Sequence, residues 1–226
     1  MATTINVPIV QRRQIQGGIL EVTCQLNGNN FPYRAGQNLQ VTLLSSLFDD
    51  PKGKTRTFNI LSSPNNSEYI SFAFYNSDSG FKKTINQLPE NSEIQIKGPY
   101  GMFTFPENDK NIVFITEGIG IIPVIGLILY ATEENLKNKI LVLHSDKKNP
   151  PYGDDLLSVE KINNNLSVKT KIGSITSAFL KSNISDFKDT LFYLSGTSET
   201  ISKIKPLLLQ NGVNIKDLKI EEFAGY

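Results

Sequence analysis

The chain has 226 residues, 39% of them hydrophobic and 20% charged, which is ordinary for a globular protein with room for one large or two small domains. Its 23 basic and 22 acidic residues nearly cancel, so the charge gives no sign of nucleic-acid binding. One cysteine and one histidine exclude a disulfide and an all-cysteine iron–sulfur cluster within this chain, and argue against a histidine-rich metal site or a Ser-His-Asp triad.

No targeting or membrane segment is expected in the chain. The first residues lack the charged and apolar regions of a signal peptide. The longest apolar run, residues 119–131, contains two glycines and a proline and is too short to span a bilayer. We therefore expect a cytoplasmic protein without a transmembrane segment and without a bound metal.

Short strand patterns separated by turn residues dominate residues 1–106. Asn-Gly, Asp-Pro-Lys-Gly and Ser-Pro-Asn-Asn turns separate them, and one helical segment is predicted at 82–88. The strand candidates are 19–24, 39–43, 69–75 and 93–97. This spacing predicts an antiparallel β-barrel domain of Greek-key type over residues 1–106.

The pattern changes after Pro106, where strands alternate with helices. The strand candidates are 112–116, 140–145, 166–172, 190–195 and 217–222. The helix candidates are 124–136, 155–163, 176–181 and 199–210. Such alternation requires crossover connections, so it predicts a parallel sheet in an α/β domain over residues 107–226.

The most informative stretch is NIVFITEGIGIIP, residues 111–123. It indicates a strand, a glycine-rich turn at 118–120 and a helix. Such a turn exposes backbone N–H groups at a helix N-terminus, where a phosphate or pyrophosphate binds well, although similar turns without a ligand are common in α/β domains. Ser195 and Gly196 also end a strand, so they can converge on this turn.

Two motifs in the first half have structural and functional interpretations. RTFNILSSP (56–64) offers an arginine for phosphate and an aromatic ring for a flat ligand, or is an edge strand with a solvated arginine. GPYGMF (98–103) is a tight turn and a domain connector. His144 and Cys24 lie in strand patterns and are interpreted as structural.

Taken in order, these segments resemble motifs of the ferredoxin–NADP reductase family of flavoproteins. RTFNILSSP resembles the family's flavin motif, GPYGMF its junction turn and TEGIGIIP its nicotinamide motif. YRAGQ (33–37), SGFK (79–82), LSG (194–196) and the terminal EFAGY (222–226) resemble further family segments. The likeness spans nearly the whole chain, and the barrel followed by an α/β domain is also the family's architecture.

The resemblance implies that the barrel binds FAD. Arg56 would neutralise the pyrophosphate, and Phe58 would lie against the flavin. Asn59 stands where the family usually has a serine that bonds flavin N5, so it is a candidate catalytic residue whose amide can also donate. The other residues that the resemblance places at FAD are Thr57, Phe74, Tyr75, Ser79, Phe81 and Lys82.

The resemblance also implies that the α/β domain binds NADH or NADPH, with Gly118 and Gly120 admitting the coenzyme pyrophosphate. Ser195 replaces the active-site cysteine of plant-type members, and Tyr226 would cover the flavin face, so both are candidate catalytic residues. The other residues that the resemblance places at the coenzyme are Ile121, Pro123, Ser145, Lys147 and Gly196.

Further residues at the C-terminus and beside Lys147 leave alternatives open. Phe223 is the alternative to Tyr226 for covering the flavin, and Glu222 is a weaker candidate for proton transfer. Lys147 would suit the 2′-phosphate of NADPH, whereas the adjacent Asp146 would favour the free ribose hydroxyl of NADH.

The implied function is an FAD-dependent oxidoreductase that takes hydride from NAD(P)H and passes electrons to a ferredoxin, a flavodoxin, an oxygenase component or a small molecule. One alternative is the electron-transfer subunit of a larger complex, although such subunits often carry a C-terminal cysteine cluster and this chain has none. The other is a flavin-binding or regulatory protein with a degenerate nicotinamide site. Three residues that depart from the family's pattern motivate this alternative. Glu117 stands where the family has glycine, threonine or alanine, Thr197 stands where it has proline, and Asn59 stands where it has serine.

Overall fold

The computed structural model describes residues 2–223, in which the N-terminal sheet has six antiparallel strands. They are β1 (Thr3–Ile15), β2 (Ile19–Gln25), β3 (Asn38–Leu43), β4 (Thr55–Asn59), β5 (Tyr69–Tyr75) and β6 (Glu93–Tyr100). Their order is β4-β3-β6-β1-β2-β5, and a bridge between Ile60 and Phe72 joins the two ends. The predicted antiparallel barrel is confirmed.

The 13-residue strand β1 was not predicted from the sequence. It pairs with β2 on one side and β6 on the other, so it lies centrally in the sheet. Val7 and Ile9 are the buried residues of β1, and the register of its pairing with β2 shifts between Ile9 and Gln11. Val7 and Ile9 alternate with less buried neighbours, but Pro8 lies between them and the polar run 11–14 follows, so the local sequence gives little sign of a long strand.

The second half forms a five-stranded parallel sheet, as predicted. Its strands are β7 (Asn111–Glu117), β8 (Ile140–Asp146), β9 (Leu166–Ile172), β10 (Thr190–Thr197) and β11 (Leu218–Phe223). One helix, α1 (Gly80–Gln87), belongs to the barrel half. The others are α2 (Ile122–Glu133), α3 (Gly153–Glu160), α4 (Ser177–Asn183) and α5 (Ser198–Gln210).

The strand order β11-β10-β7-β8-β9 places the switch point of the sheet between β7 and β10. The chain leaves β7 toward β8 and β9 on one side and returns to β10 and β11 on the other. Open α/β sheets bind ligands in the crevice at the carboxyl ends of strands at such a point. The turn after β7 and the residues that end β10 therefore lie at the favoured position.

Three groups of buried apolar side chains hold the fold together. One fills the barrel, and another packs α4 and α5 against one face of the parallel sheet. The third packs α2 against the other face and also includes barrel residues such as Ile19 and Ala73, so it joins the two halves. Within residues 2–223, no helix is long and apolar enough to cross a membrane.

Candidate functional site

The glycine-rich turn after β7 is held by close contacts with both halves of the protein. Residues Gly118–Ile121 form a single 3-10 turn that leads into α2. Gly118 has a φ of +56°, and a Cβ there would lie 2.5 Å from the Tyr75 hydroxyl of the barrel. A Cβ on Gly120 would lie 2.2 Å from the Ser195 carbonyl of β10. Both positions therefore require glycine, and the structure brings Gly120 and Ser195 together at the switch point.

A neutral hydroxyl of the barrel covers one N–H of this turn. The Ile119 N–H donates to the Tyr75 hydroxyl oxygen at 3.1 Å. Burial raises the pKa of Tyr75, so the phenol stays protonated. Tyr75 was predicted to line FAD, and the structure places it between the barrel and the predicted coenzyme turn.

Charged residues surround a cavity of about 220 Å³ beside the turn. These charged residues are Glu117, Asp146, Lys147, Glu199 and Lys203. Burial raises the pKa of Glu117, and Lys203 and Lys147 oppose that shift. Glu117 is among the residues that line the cavity, where a carboxylate would repel a coenzyme phosphate.

Buried hydroxyls and the single histidine lie at the strand ends near this cavity. Among residues 2–223, the Ser145 and Ser195 hydroxyls are fully buried and have no hydrogen-bond partner. His144 Nδ1 lies 2.8 Å from the Thr116 hydroxyl and Nε2 lies 3.0 Å from the Pro151 carbonyl. Because a carbonyl only accepts, we assign the proton to Nε2. Burial lowers the pKa of His144 to about 4, so the ring is neutral and structural, as expected.

The remaining predicted coenzyme residues lie around the same edge of the sheet. Ile121 and Pro123 are buried at the start of α2, where proline suits the first helical turn. Gly196 approaches Thr200 so closely that a Cβ would lie 2.9 Å from its methyl group. Lys147 is exposed beside Asp146.

A second predicted anion site lies at the N-terminus of α1. Ser79 caps this helix by accepting from the Lys82 N–H, and the Phe81 N–H donates to Asp50 Oδ2 at 2.9 Å. Arg56 Nη2 lies 2.6 Å from the other oxygen of Asp50, and the guanidinium stacks 5.1 Å from the Phe81 ring centre. The structure therefore brings the predicted pyrophosphate residues together, with the Asp50 carboxylate between them.

Asp50 is a strongly held anion. The Phe81 N–H, followed by the Lys52 N–H and Arg56, holds the pKa of this carboxyl below its usual value. Its side chain is 7% exposed and that of Arg56 is 18% exposed. Arg56 is therefore not the solvated arginine of an edge strand. Sequence reasoning missed Asp50, which lies in a segment interpreted only as a turn.

The predicted flavin-facing aromatics belong to the barrel core. Phe58 is 3% exposed and packs on Phe72, Phe74 and Phe81, with ring centres 5.1 to 5.9 Å apart. Thr57 points to the exposed face of β4. Lys82 lies 5.7 Å from the Phe74 ring centre. The Phe58 ring is therefore packed among barrel side chains and is not open to a planar ligand in this structure.

Asn59 forms a hydrogen bond between the two halves. Its Nδ2 donates to Glu221 Oε1 of β11 at 3.2 Å. Burial raises the pKa of Glu221, and the Asn59 bond partly offsets the shift. Glu222, the residue singled out from the sequence, is exposed on the opposite face and accepts from Ser198. Strand alternation in 217–222 could have distinguished the two glutamates, had the inward face been known.

The C-terminal aromatics are only partly described. Phe223 pairs in register with Thr197 of β10 and packs against the buried group that joins the two halves. Tyr226 lies outside the described residues, so its predicted role remains a prediction.

Comparisons with known proteins find partial sequence relatives. No protein-family profile matches the chain. Protein RfbI of Salmonella typhimurium is 29% identical over 93 residues, covering 40% of this chain and 28% of that protein. A flavohemoprotein of Candida albicans is 27% identical over 158 residues, covering 62% of this chain and 39% of that protein. The matches thus span well under half of these relatives.

Solved structures match almost the whole chain. The FAD/NAD-binding domain of a nitric oxide dioxygenase from Vibrio cholerae superposes with a TM-score of 0.84 at 14% identity, covering 96% of this chain and 98% of that one. Ferredoxin–NADP⁺ reductase from Plasmodium falciparum gives a TM-score of 0.76 at 20% identity, covering 97% and 96%. The resemblance expected from the motifs is confirmed at the level of the fold: this chain has the two-domain fold of the ferredoxin–NADP reductase family.

Proposed function

We propose that the protein is an FAD-dependent oxidoreductase that accepts hydride from NADH or NADPH. The observation that carries this proposal is the meeting of the two predicted sites at one junction. Tyr75 of the barrel contacts the glycine-rich turn at 3.1 Å, and Asn59 of the flavin-like motif contacts Glu221 at 3.2 Å. Hydride transfer between two ring systems requires such adjacent sites.

The donors at the α1 N-terminus suit a pyrophosphate. A guanidinium fork, a helix N-terminal N–H and a lysine together match the oxygens and the charge of phosphate groups. Arg56, the Phe81 N–H and Lys82 are these groups, and the first two already hold the carboxylate of Asp50. A site that binds a carboxylate tightly has the right chemistry for a phosphate oxygen.

Bound FAD would supply the chemistry of accepting a hydride and releasing electrons onward. The protein's own residues would orient it. Glu221 fixes the Asn59 amide, because a carboxylate accepts only from its NH₂ end. Glu221 lies beside Asn59 at the junction, whereas Glu222 is exposed on the other face of β11, so we assign the proton-handling role to Glu221, whose pKa burial raises.

The electron acceptor and the domain limits belong to the same proposal. The neighbour named ferredoxin–NADP⁺ reductase supports electron delivery to a partner protein. We propose an acceptor of that kind, or a small oxidised molecule, and a boundary near Pro106 between the FAD-binding and NAD(P)-binding domains. With 23 basic and 22 acidic residues, total charge favours no particular partner.

The test is an anaerobic absorbance spectrum of the purified protein reconstituted with FAD, recorded before and after NADH or NADPH. We expect flavin absorbance that bleaches with one coenzyme faster than with the other. The faster coenzyme decides between Asp146 and Lys147 as the ribose-recognising residue. A protein that cannot be loaded with FAD would contradict the proposal.

A second candidate is a flavin-binding protein whose nicotinamide site is degenerate. The cavity beside the glycine-rich turn favours it, because this space of about 220 Å³ is small for a dinucleotide and is lined by three carboxylates, Glu117, Asp146 and Glu199. A protein that binds FAD but is not bleached by either coenzyme would establish this alternative.

A further inference from the structure

The loop between β3 and β4 covers the N-terminus of α1. The Leu47 and Phe48 N–H groups both donate to the Thr84 hydroxyl, at 3.2 and 3.3 Å. The Asp49 carbonyl lies against Gly80, where a Cβ would be only 2.0 Å from its oxygen. The first residue of α1 must therefore be glycine for the loop to lie this close.

The same loop places the Asp50 carboxylate at the N-terminus of α1 and provides hydrogen-bond acceptors for Arg56. Asp50 accepts from Phe81, from the Lys52 N–H at 2.9 Å and from Arg56. Arg56 Nη1 in turn donates to the carbonyls of Lys52, Gly53 and Thr55, at 2.7 to 3.0 Å. Both Nη atoms of the guanidinium therefore donate hydrogen bonds to this loop or to the start of β4.

These donors are the ones that the proposed function assigns to the FAD pyrophosphate. A carboxylate and a phosphate cannot both occupy them, because two negative charges at contact distance repel strongly in a partly buried site. Occupation by a ligand therefore requires Asp50 to leave.

We propose that Asp50 is an internal occupant of the pyrophosphate site and that the 47–53 loop must swing off α1 before a dinucleotide binds. The inference rests on the proposed function and adds a regulatory step to it. Asp50 competes with the ligand, so it weakens binding and sets which anions enter. Displacement of the Asp50 carboxylate frees Arg56 Nη2 and the Phe81 N–H together.

The test compares the flavin-free wild-type protein with two variants, each of which lacks one negative charge of the loop. Asp50→Asn removes the competing charge and keeps the shape, and Asp49→Asn removes one charge from an exposed neighbouring side chain in the same loop. Calorimetric titrations use FAD and, separately, inorganic pyrophosphate. We expect Asp50→Asn to bind both probes about tenfold more tightly, the effect of one partly buried charge contact, and Asp49→Asn to differ by less than about twofold.

A second readout follows the loop directly. Hydrogen exchange at the Leu47 and Phe48 amides is expected to accelerate in the wild-type protein when FAD is added, because their bonds to Thr84 break as the loop leaves. If Asp50→Asn does not fold, Gly80→Ala serves instead. Its Cβ forces the Asp49 carbonyl away and should tighten the binding of pyrophosphate in the same way.

The outcomes separate this inference from the proposed function. Equal FAD affinity in wild type and Asp50→Asn, with Leu47 and Phe48 still protected, would overturn the internal occupant while the flavin function stands. Tighter pyrophosphate binding by Asp50→Asn, without FAD binding by any variant, would support the occupant and overturn the flavin function. Failure of every variant to bind either probe would overturn both.

Discussion

The two helix N-termini predicted to bind phosphate are closed in different ways. At α1, a carboxylate occupies the site, held by Phe81 and Arg56. At α2, the neutral Tyr75 hydroxyl accepts from Ile119, and the nearby carboxylate of Glu117 lines the adjoining cavity. The Asp50 carboxylate must leave before another anion can bind at α1. At α2, an anion need only replace the hydrogen bond between Tyr75 and Ile119.

A sequence motif for phosphate binding can therefore be present while another part of the same chain fills the site. The glycines at the two sites show the same contrast. Gly80 meets the carbonyl of a surface loop, and Gly120 meets the carbonyl of a central strand. The first neighbour belongs to a connecting loop and the second to a central strand, so we expect the α1 site to open more readily than the α2 site.

Alanine substitutions at the two glycines would test this contrast in rigidity. Gly120→Ala places a Cβ 2.2 Å from the Ser195 carbonyl of β10, so we expect a loss of about 3 kcal/mol in the free energy of unfolding. Gly80→Ala meets the Asp49 carbonyl of the loop, which we expect to shift, and should cost about 1 kcal/mol. Chemical denaturation followed by circular dichroism measures both.

Gly153→Ala is the control for these two variants, since a Cβ there meets nothing within 4 Å and the residue begins α3. Its free energy of unfolding should stay within about 1 kcal/mol of the wild type. If Gly80→Ala were as destabilised as Gly120→Ala, the loop over α1 would be as rigid as the sheet.

Removing the guanidinium should have the largest effect on ligand binding. Arg56→Ala takes away the fork that would grip the pyrophosphate, and we expect FAD affinity to fall about 100-fold, or about 2.7 kcal/mol. Arg34→Ala is the control, because its side chain is 57% exposed and makes only a 3.5 Å ion pair with Glu107. An Arg56→Ala protein that purifies with a full complement of FAD would refute the pyrophosphate role.

Much of the fold was predictable because its signals are local. Alternation and β-branched runs located β5 and β9 to the residue, and the strand–helix order predicted the parallel sheet. The exception, β1, is stabilised by its two neighbouring strands more than by its own pattern. β2 follows β1 directly in a hairpin, but pairing with the distant strand β6 leaves no mark in the local sequence of β1.

The site was predictable only in part, for a related reason. Glycine-rich turns and the Arg56 motif are short and continuous, so they stand out in the sequence. Asp50 and Glu221 act on residues 31 and 162 positions away, at Phe81 and Asn59. Such contacts depend on how the barrel, the loop and the two halves pack, which no local pattern encodes.

Neutralising the carboxylate at the α2 site should have a smaller effect. Glu117→Gln keeps the size of the side chain that lines the cavity but removes the charge that repels a coenzyme phosphate. We expect the Kd for NADH or NADPH to fall about fivefold, or about 1 kcal/mol, since the site is partly solvated and Lys203 and Lys147 already offset the charge.

Fluorescence titration with each coenzyme measures this change, and Glu222→Gln, which alters an exposed carboxylate on the outer face of β11, is the matched control. Unchanged or weaker coenzyme binding by Glu117→Gln would show that its carboxylate does not oppose the ligand.

The smallest expected effect is a pH dependence at the contact between Asn59 and Glu221. Burial raises the pKa of Glu221 in the folded protein, so the native state binds this proton more tightly than the unfolded chain does. Stability from this group is therefore present below the unfolded pKa of about 4.3 and is lost as pH rises through the folded pKa. The loss is at most about 1 kcal/mol, because Glu221 is only partly buried and solvent screens it.

Denaturation of the wild type and of Glu221→Gln over a range of pH would measure the contribution of Glu221 to the free energy of unfolding. We expect the free energy of unfolding of the wild type to fall, relative to that of Glu221→Gln, as pH rises through the folded pKa of Glu221. A difference that is constant with pH would mean that Glu221 titrates alike in the folded and unfolded states.

A crystal structure of the protein with FAD tests the central claim most directly. We expect the pyrophosphate between Arg56 and the Phe81 N–H, the flavin at the junction of Asn59 and Glu221, and Asp50 turned away from α1. FAD bound at another place, or bound while Asp50 still accepts from Phe81, would contradict it.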